Sequence, residues 1–175
     1  MDKKISKITR GLMTVLTVIL IALFLTIMGL VSKIQGTARV VNYAGLVRGK
    51  TQRIIKLEDA KQPQDEMIES VSSFIEGLRY GSDEQNLVRL DDHAFQNKMK
   101  ELDEHFQELQ KEIRQVRKEG YENTEIIEKS EAFFGICDEA TGLAEKYAQK
   151  KATALERLEK IVIADNYRSG VSSGI

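Results

Sequence analysis

Apolar positions along this chain follow two different rules. From Gly11 to Val31 they are nearly continuous, and GLMTVLTVILIALFLTIMGLV contains no charged residue. At about 1.5 Å of rise per residue, a helix over this run spans roughly 30 Å, the thickness of a bilayer's hydrocarbon core. Beyond Val31, apolar residues recur at alternating steps of three and four, which places them on one stripe of a helix. The first stripe is Val40, Ala44, Val47, Thr51, Ile54 and Glu58, the last a polar break at the tip. It predicts that the membrane helix continues to about Lys61, after which Pro63, lacking an N–H, ends it. A short second helix is expected over about Gln64 to Tyr80, burying Met67, Val71, Phe74 and Leu78, with Gly81 as its C-terminal cap. Gly81 to Leu90 reads as a loop or strap.

The third stripe is the most regular in the soluble part: Phe95, Met99, Leu102, Phe106, Leu109, Ile113 and Val116 predict a helix from about Asp92 to Lys118, stopped by Gly120. Asn123 or Thr124 is placed to cap a fourth helix from about Glu125 towards Val162. Its expected seam is Ile127, Ser130, Phe134, Cys137, Thr141, Ala144, Ala148, Lys151, Leu155, Leu158 and Val162, with Lys151 a poor fit. No segment alternates with period two, so no strand is expected. The class is therefore all-α: a transmembrane helix continuing into an up-down-up-down four-helix bundle. Its parts are a cytoplasmic tail (1–10), the span (11–31), a four-helix extracytoplasmic module (32–165) and an irregular tail (166–175).

Charge narrows the possible functions. Lys+Arg 26 against Asp+Glu 27 gives a net charge of -1, without the basic excess of a nucleic-acid binder. One Pro in the chain permits long helices. The single Cys, Cys137, excludes an intramolecular disulfide and a Cys-based zinc site; on its seam it reads as a small core residue. Lys3, Lys4, Lys7 and Arg10 crowd the N-terminal tail. The positive-inside rule keeps that tail in the cytoplasm and everything after Val31 outside. A cleaved signal peptide would carry an apolar run of about 7–15 residues followed by a small-residue cleavage site. Here a longer run passes into Ser32-Lys33-Ile34-Gln35 with no Ala-x-Ala, so a single-pass anchor in a bacterial cytoplasmic membrane is expected.

Catalytic signatures do not appear: there is no Ser-His-Asp pattern, phosphate loop or HExxH. An enzyme, a cofactor and a metal are not expected. His93 and His105 sit on one helix more than a turn apart, and Asp91-Asp92 before His93 reads as an acidic helix start favoured by the dipole. One segment stands out. Gly45 and Gly49 lie mid-helix, each costing about 1 kcal/mol relative to Ala, and share a face that lets another backbone come close. Asn42, Gly45, Arg48, Gly49 and Gln52 form a small and polar strip beside the apolar seam. Arg offers a planar fork of donors suited to an anion, and in a symmetric dimer two Arg48 side chains would repel until an anion joined them. The plainer reading is a helix contact with a solvated Arg.

Asn42-x-Ala44-Gly45-x-x-Arg48-x-x-Thr51-x-Arg53 resembles the motif of the first extracytoplasmic helix in nitrate/nitrite sensor kinases, and is similar to the N-terminal domain of type IV pilus methyl-accepting chemotaxis transducers. NYAGLVRGKTQRIIKLE resembles more closely a sensor segment of Firmicute transmembrane diguanylate cyclases and histidine kinases, as do LVRLDD and GYENTEIIEKSE further on. The resemblance covers roughly residues 1–160. It implies a sensor module that is not an enzyme, with Gly45 and Arg48 at a ligand site on a dimer axis. Such receptors continue into a second span and an output domain; here Ile161-Val162-Ile163-Ala164 begins like a span and Asp165-Asn166 interrupts it. The expectation is thus a signal-input module lacking its output domain, a homodimer through the first helix with a small anionic ligand. The alternative is a membrane-anchored structural or interaction protein that dimerises without one.

Overall fold

The computed structural model describes the backbone of residues 2–172, and the side chains of residues 7–157 (Lys33 apart) and Lys160. It divides into two units, Met1–Gln35 and Gly36–Ile175. Four α-helices account for most of the chain: α1 (Asp2–Asp59), α2 (Asp65–Tyr80), α3 (His93–Glu119) and α4 (Ile126–Ser172), with one 3-10 turn at Tyr121–Asn123. In the first unit the helix leaves its large apolar side chains uncovered, Leu12, Leu16 and Phe24 among them. Thr14, Thr17 and Thr26 donate their hydroxyls to the carbonyls of Arg10, Met13 and Ala22 at 2.8–2.9 Å. Those hydroxyls are thereby satisfied within the helix, as hydrocarbon surroundings demand. Among the described residues this is the one helix long and apolar enough to cross a membrane, with a mean hydropathy of 2.7 over its most apolar window.

In the second unit, side-chain contacts fix the direction of each helix. Tyr43 packs edge-on against Phe74 and Lys50 donates to Ser70 Oγ at 2.8 Å, so α2 runs against α1. Arg79 pairs with Asp103, and Gln110 donates to Ser72, so α3 runs against α2. Lys129 meets Glu112 at 2.7 Å and Glu139 meets Lys98 at 2.7 Å, so α4 runs against α3. Up-down-up-down is the result.

The core confirms two seams and turns two others. All six expected positions of α1 are buried, Thr51 by returning its hydroxyl to the Val47 carbonyl at 2.8 Å. All seven of α3 are buried. On α2, Val71 and Leu78 are joined by Ile75, while Met67 and Phe74 are only partly covered. On α4 the expected Ser130, Phe134, Cys137 and Ala144 are buried, and the buried face widens to one side of that seam while Ile127 drops out of it. Ile126 is 1% exposed and Ile127 is 61% exposed, and Phe133, Ile136 and Ala140 join the core. Ile126, Ser130, Phe133, Cys137, Ala140 and Ala144 keep the same three-four rhythm. With Ile126-Ile127 and Phe133-Phe134 both doublets, periodicity alone cannot choose between the two stripes. Lys151 is exposed, and the side chains of Leu158 and Val162 lie outside the described residues. The tail expected to be irregular from residue 166 is helical as far as Ser172, because polarity ends an apolar run without ending a helix; residues 173–175 lie outside the described ones.

Helix ends close as local chemistry requires. After α1, Gln62 N–H donates to Leu57 O at 2.8 Å and Lys61 N–H to Glu58 O at 2.9 Å. Lys61 at φ 56 takes the left-handed position of this Schellman turn. Asp92 caps α3 by accepting from Phe95 N at 2.9 Å. Ser82 and Leu87 exchange two backbone hydrogen bonds, folding the strap so that Leu87 and Leu90 enter the core. A Cβ on Gly77 would stand 2.9 Å from Leu87 Cδ1 and 2.5 Å from Gln85 Oε1, so a larger residue there would push the strap away. The start of α4 differs from expectation. Thr124 Oγ1 donates back to Tyr121 O at 3.0 Å, and the cap comes from another helix. Glu112 of α3 accepts from Glu125 N at 3.1 Å and from Lys129 Nζ at 2.7 Å. The Lys129 ammonium holds the Glu112 carboxyl below the usual carboxylate range.

Candidate functional site at the α1–α4 face

With Val40, Ala44, Val47, Thr51 and Ile54 turned inward, the helical period turns Asn42, Gly45, Gly49 and Gln52 outward, and all four are exposed. A Cβ added to Gly45 or Gly49 would meet nothing within 4 Å, and the same holds for Gly135 and Gly142 on α4. Among the described residues nothing therefore requires glycine at these places. Arg48 stands at the edge of the seam and reaches α4. Its Nε lies 3.0 Å from Asp138 Oδ1, with the two side chains 40% and 62% exposed, and its guanidinium carbon is 5.9 Å from the centre of the Phe134 ring. Nε is shielded from water, yet its proton is not aligned for a hydrogen bond. The pair is a charge contact without a directional bond, worth at most about 1 kcal/mol at such exposure.

Gln52, four residues on, borders a groove of about 330 Å³ formed with Ile55, Lys56 and Asp59 of α1, Tyr121, and Ile127, Ser130, Glu131 and Phe134 on the α4 side. The structure thus brings Arg48 and Gln52 to α4 residues and leaves Asn42, Gly45 and Gly49 as open surface. Asp138 and Phe134 as neighbours of Arg48 were not predicted; both lie on an antiparallel helix whose register the sequence does not display.

Beyond the groove, the C-terminal end of α1 is clasped. Arg117 donates to both carboxylate oxygens of buried Glu58, at 3.0 and 2.5 Å, and to Asp65 at 2.7 Å. The Glu58 carboxylate holds the Arg117 guanidinium above even its ordinary range. Tyr121 donates to the Ile55 carbonyl at 3.5 Å. Burial first, then the charges of Asp59 and Glu58, raise its phenol. His93 opens α3 and is exposed. Among the described residues, no group of three or more His, Cys, Asp or Glu is placed to hold a metal ion.

Cys137 is fully buried between these elements. Burial pushes its thiol up to about 12; Asp138 adds to the effect and Arg48 opposes it. The thiolate is the reactive form. The folded chain should therefore resist a disulfide reagent at about pH 8, with a thiolate fraction about a thousandfold below that of an ordinary cysteine. Rapid release should follow only on denaturation, and prompt labelling of the folded chain would contradict the packing around Cys137.

The family of N-terminal regions of type IV pili methyl-accepting chemotaxis transducers matches residues 30–127. The chain belongs to this family. The match spans more than half of the 175 residues and takes in α2, α3 and the whole Asn42–Gln52 strip; Asp138 lies beyond it. No curated protein and no solved structure matches the chain. Such a region is a sensing part of a receptor rather than a catalytic one, and the apolar helix of the first unit agrees with a single-pass membrane protein.

Proposed function

We propose that this chain is the extracytoplasmic signal-input module of a bacterial transmembrane receptor, lying outside the cytoplasmic membrane with its N-terminus inside. It works as a homodimer through α1, and a small anion bound at Arg48 is its signal. The observation that carries this reading is the placement of Arg48. A half-exposed guanidinium stands between two glycines whose faces are open, within the segment that the transducer family shares. The two glycines cost helix stability with no return among the described residues, which close approach of a partner helix would explain. The resemblance of this strip to that of nitrate sensors supports an anion at the same place.

In this reading Asp138 is the competitor. It neutralises Arg48 while no ligand is present, and an incoming anion must displace it. Thermal melting of the full chain in lipid discs against nitrate, nitrite, phosphate and small carboxylates tests this. One of these anions should raise the wild-type midpoint by mass action. Arg48→Ala should abolish the rise, and Arg48→Lys should restore little, since a point charge lacks the planar fork. Asp138→Asn should bind the same anion about threefold to fivefold more tightly, the equivalent of losing one exposed ion pair. The other reading, a dimer without a ligand, is favoured by the fact that Arg48 already has a partner; it wins if no anion moves the midpoint while the chain still self-associates. Topology has its own check: protease added outside spheroplasts should remove residues after Val31, and full protection would reverse the orientation.

A further inference from the structure

The groove beside Gln52 is built differently from the Arg48 strip. Its inner surface is apolar, made of Ile55, the nearly buried Phe134 ring and the partly buried Tyr121. Its rim carries charges of both signs, Lys56 against Asp59 and Glu131. Among the described residues none of these three takes part in an ion pair, although neighbouring Glu58 is clasped by Arg117. Ile127, a large aliphatic side chain, stands 61% exposed on the same groove while Ile126 beside it fills the core. The groove therefore offers an apolar surface, one free cation and two free carboxylates. At about 330 Å³ it falls at the small end of ligand pockets, roughly 300–1,000 Å³, which suits one compact molecule and not a peptide.

We propose that this groove binds a zwitterion with an apolar side chain, of the free α-amino-acid class, between the C-terminal end of α1 and the start of α4. Lys56, with the Gln52 amide beside it, receives the carboxylate. Asp59 and Glu131 receive the ammonium. Ser130 donates its hydroxyl to the Ile127 carbonyl at 2.8 Å, so its oxygen keeps acceptor capacity towards the same ammonium. The apolar side chain covers Ile127 and lies on Phe134 and Ile55. A simple anion is disfavoured here by two carboxylates and a simple cation by Lys56, so the pattern selects for both charges on one molecule. This site gives the sensing reading a second ligand class and does not depend on Arg48.

Isothermal titration of the full chain in lipid discs tests it with three probes: L-leucine, 3-methylbutylamine, which lacks the carboxylate, and 4-methylpentanoate, which lacks the ammonium. Leucine should bind, and each analogue should bind at least about tenfold more weakly, the cost of one lost charged hydrogen bond. Lys56→Met and Glu131→Gln, both at exposed positions, should each weaken leucine about tenfold with the helical circular dichroism unchanged. Arg48→Ala should leave leucine affinity intact, which separates this site from the anion response. The proposal falls if leucine gives no heat at about 10 mM, if either analogue binds as tightly, or if the rim variants bind leucine like the wild type. It falls equally if Ile127→Glu dissociates the dimer while leucine is inert, since the groove would then hold a side chain of a second copy.

Discussion

Arg117→Met should destabilise the helical bundle by about 3–5 kcal/mol, the cost of leaving a buried charge without its partner. The Glu58 side chain is 2% exposed and receives two of the three hydrogen bonds Arg117 makes. Without them its carboxylate has neither water nor a counter-charge. Asp65, at 73% exposed, is repaid by solvent and should contribute little, so Asp65→Asn should stay within about 1 kcal/mol of wild type. Urea unfolding of the full chain in micelles, followed by circular dichroism, gives the measurement. The double variant Glu58→Leu/Arg117→Met should recover most of the loss, because an apolar pair of similar size replaces a buried ion pair at little cost. A single variant within about 1 kcal/mol of wild type would mean that Glu58 reaches water or is protonated at no cost.

Phe133→Ala should cost about 3–5 kcal/mol as well, through lost burial and the cavity left behind. Phe133 is fully buried and stands between two rings, 5.6 Å from Phe106 and 6.2 Å from Phe134. The same argument separates the two isoleucines at the start of α4. Ile126→Ala should lose about 2–5 kcal/mol, whereas Ile127→Ala, at 61% exposed, should lose less than about 1 kcal/mol. Comparing the four unfolding midpoints tests the rotation of α4 directly. Equal effects at Ile126 and Ile127 would return the helix to the orientation that simple periodicity suggests.

The places where expectation and structure part company share a cause. On α3 each turn has one apolar candidate, so spacing selects the buried face without ambiguity. α1 has the doublets Val40-Val41, Leu46-Val47 and Ile54-Ile55, but the neighbouring stripe runs through Gly45, Arg48 and Gln52, which leaves the Val40–Ile54 stripe as the apolar one. On α4, Ile126-Ile127 and Phe133-Phe134 offer two stripes of equal rhythm, and the face is chosen by what α3 presents: Phe106 accepts Phe133, and the Glu112 carboxylate takes the first free N–H. Caps followed the same division. Asp92 lies three residues before the N–H it serves, so its place at the start of α3 was legible as an acidic helix start, and the structure adds that its side chain is the cap. The cap of α4 comes from a residue on the preceding helix and was not.

For the candidate site, the sequence by itself determined the strip. Asn42, Gly45, Arg48, Gly49 and Gln52 share one side of α1 because the helical period and the apolar seam leave them no other, and a 30 Å uncharged run near the N-terminus reads as a span by length alone. Local periodicity is a property of adjacent residues, so it survives without the rest of the fold. Only the tertiary structure decided what meets that strip. Arg48 faces Asp138 at 3.0 Å, Glu58 is held by Arg117 rather than exposed at a tip, and Lys56, Asp59 and Glu131 gather around one apolar groove. Each of these pairings joins residues on different helices. Their meeting depends on the register and rotation with which packed helices settle, which is set by side-chain volume summed over the whole core and by no single stretch of the chain.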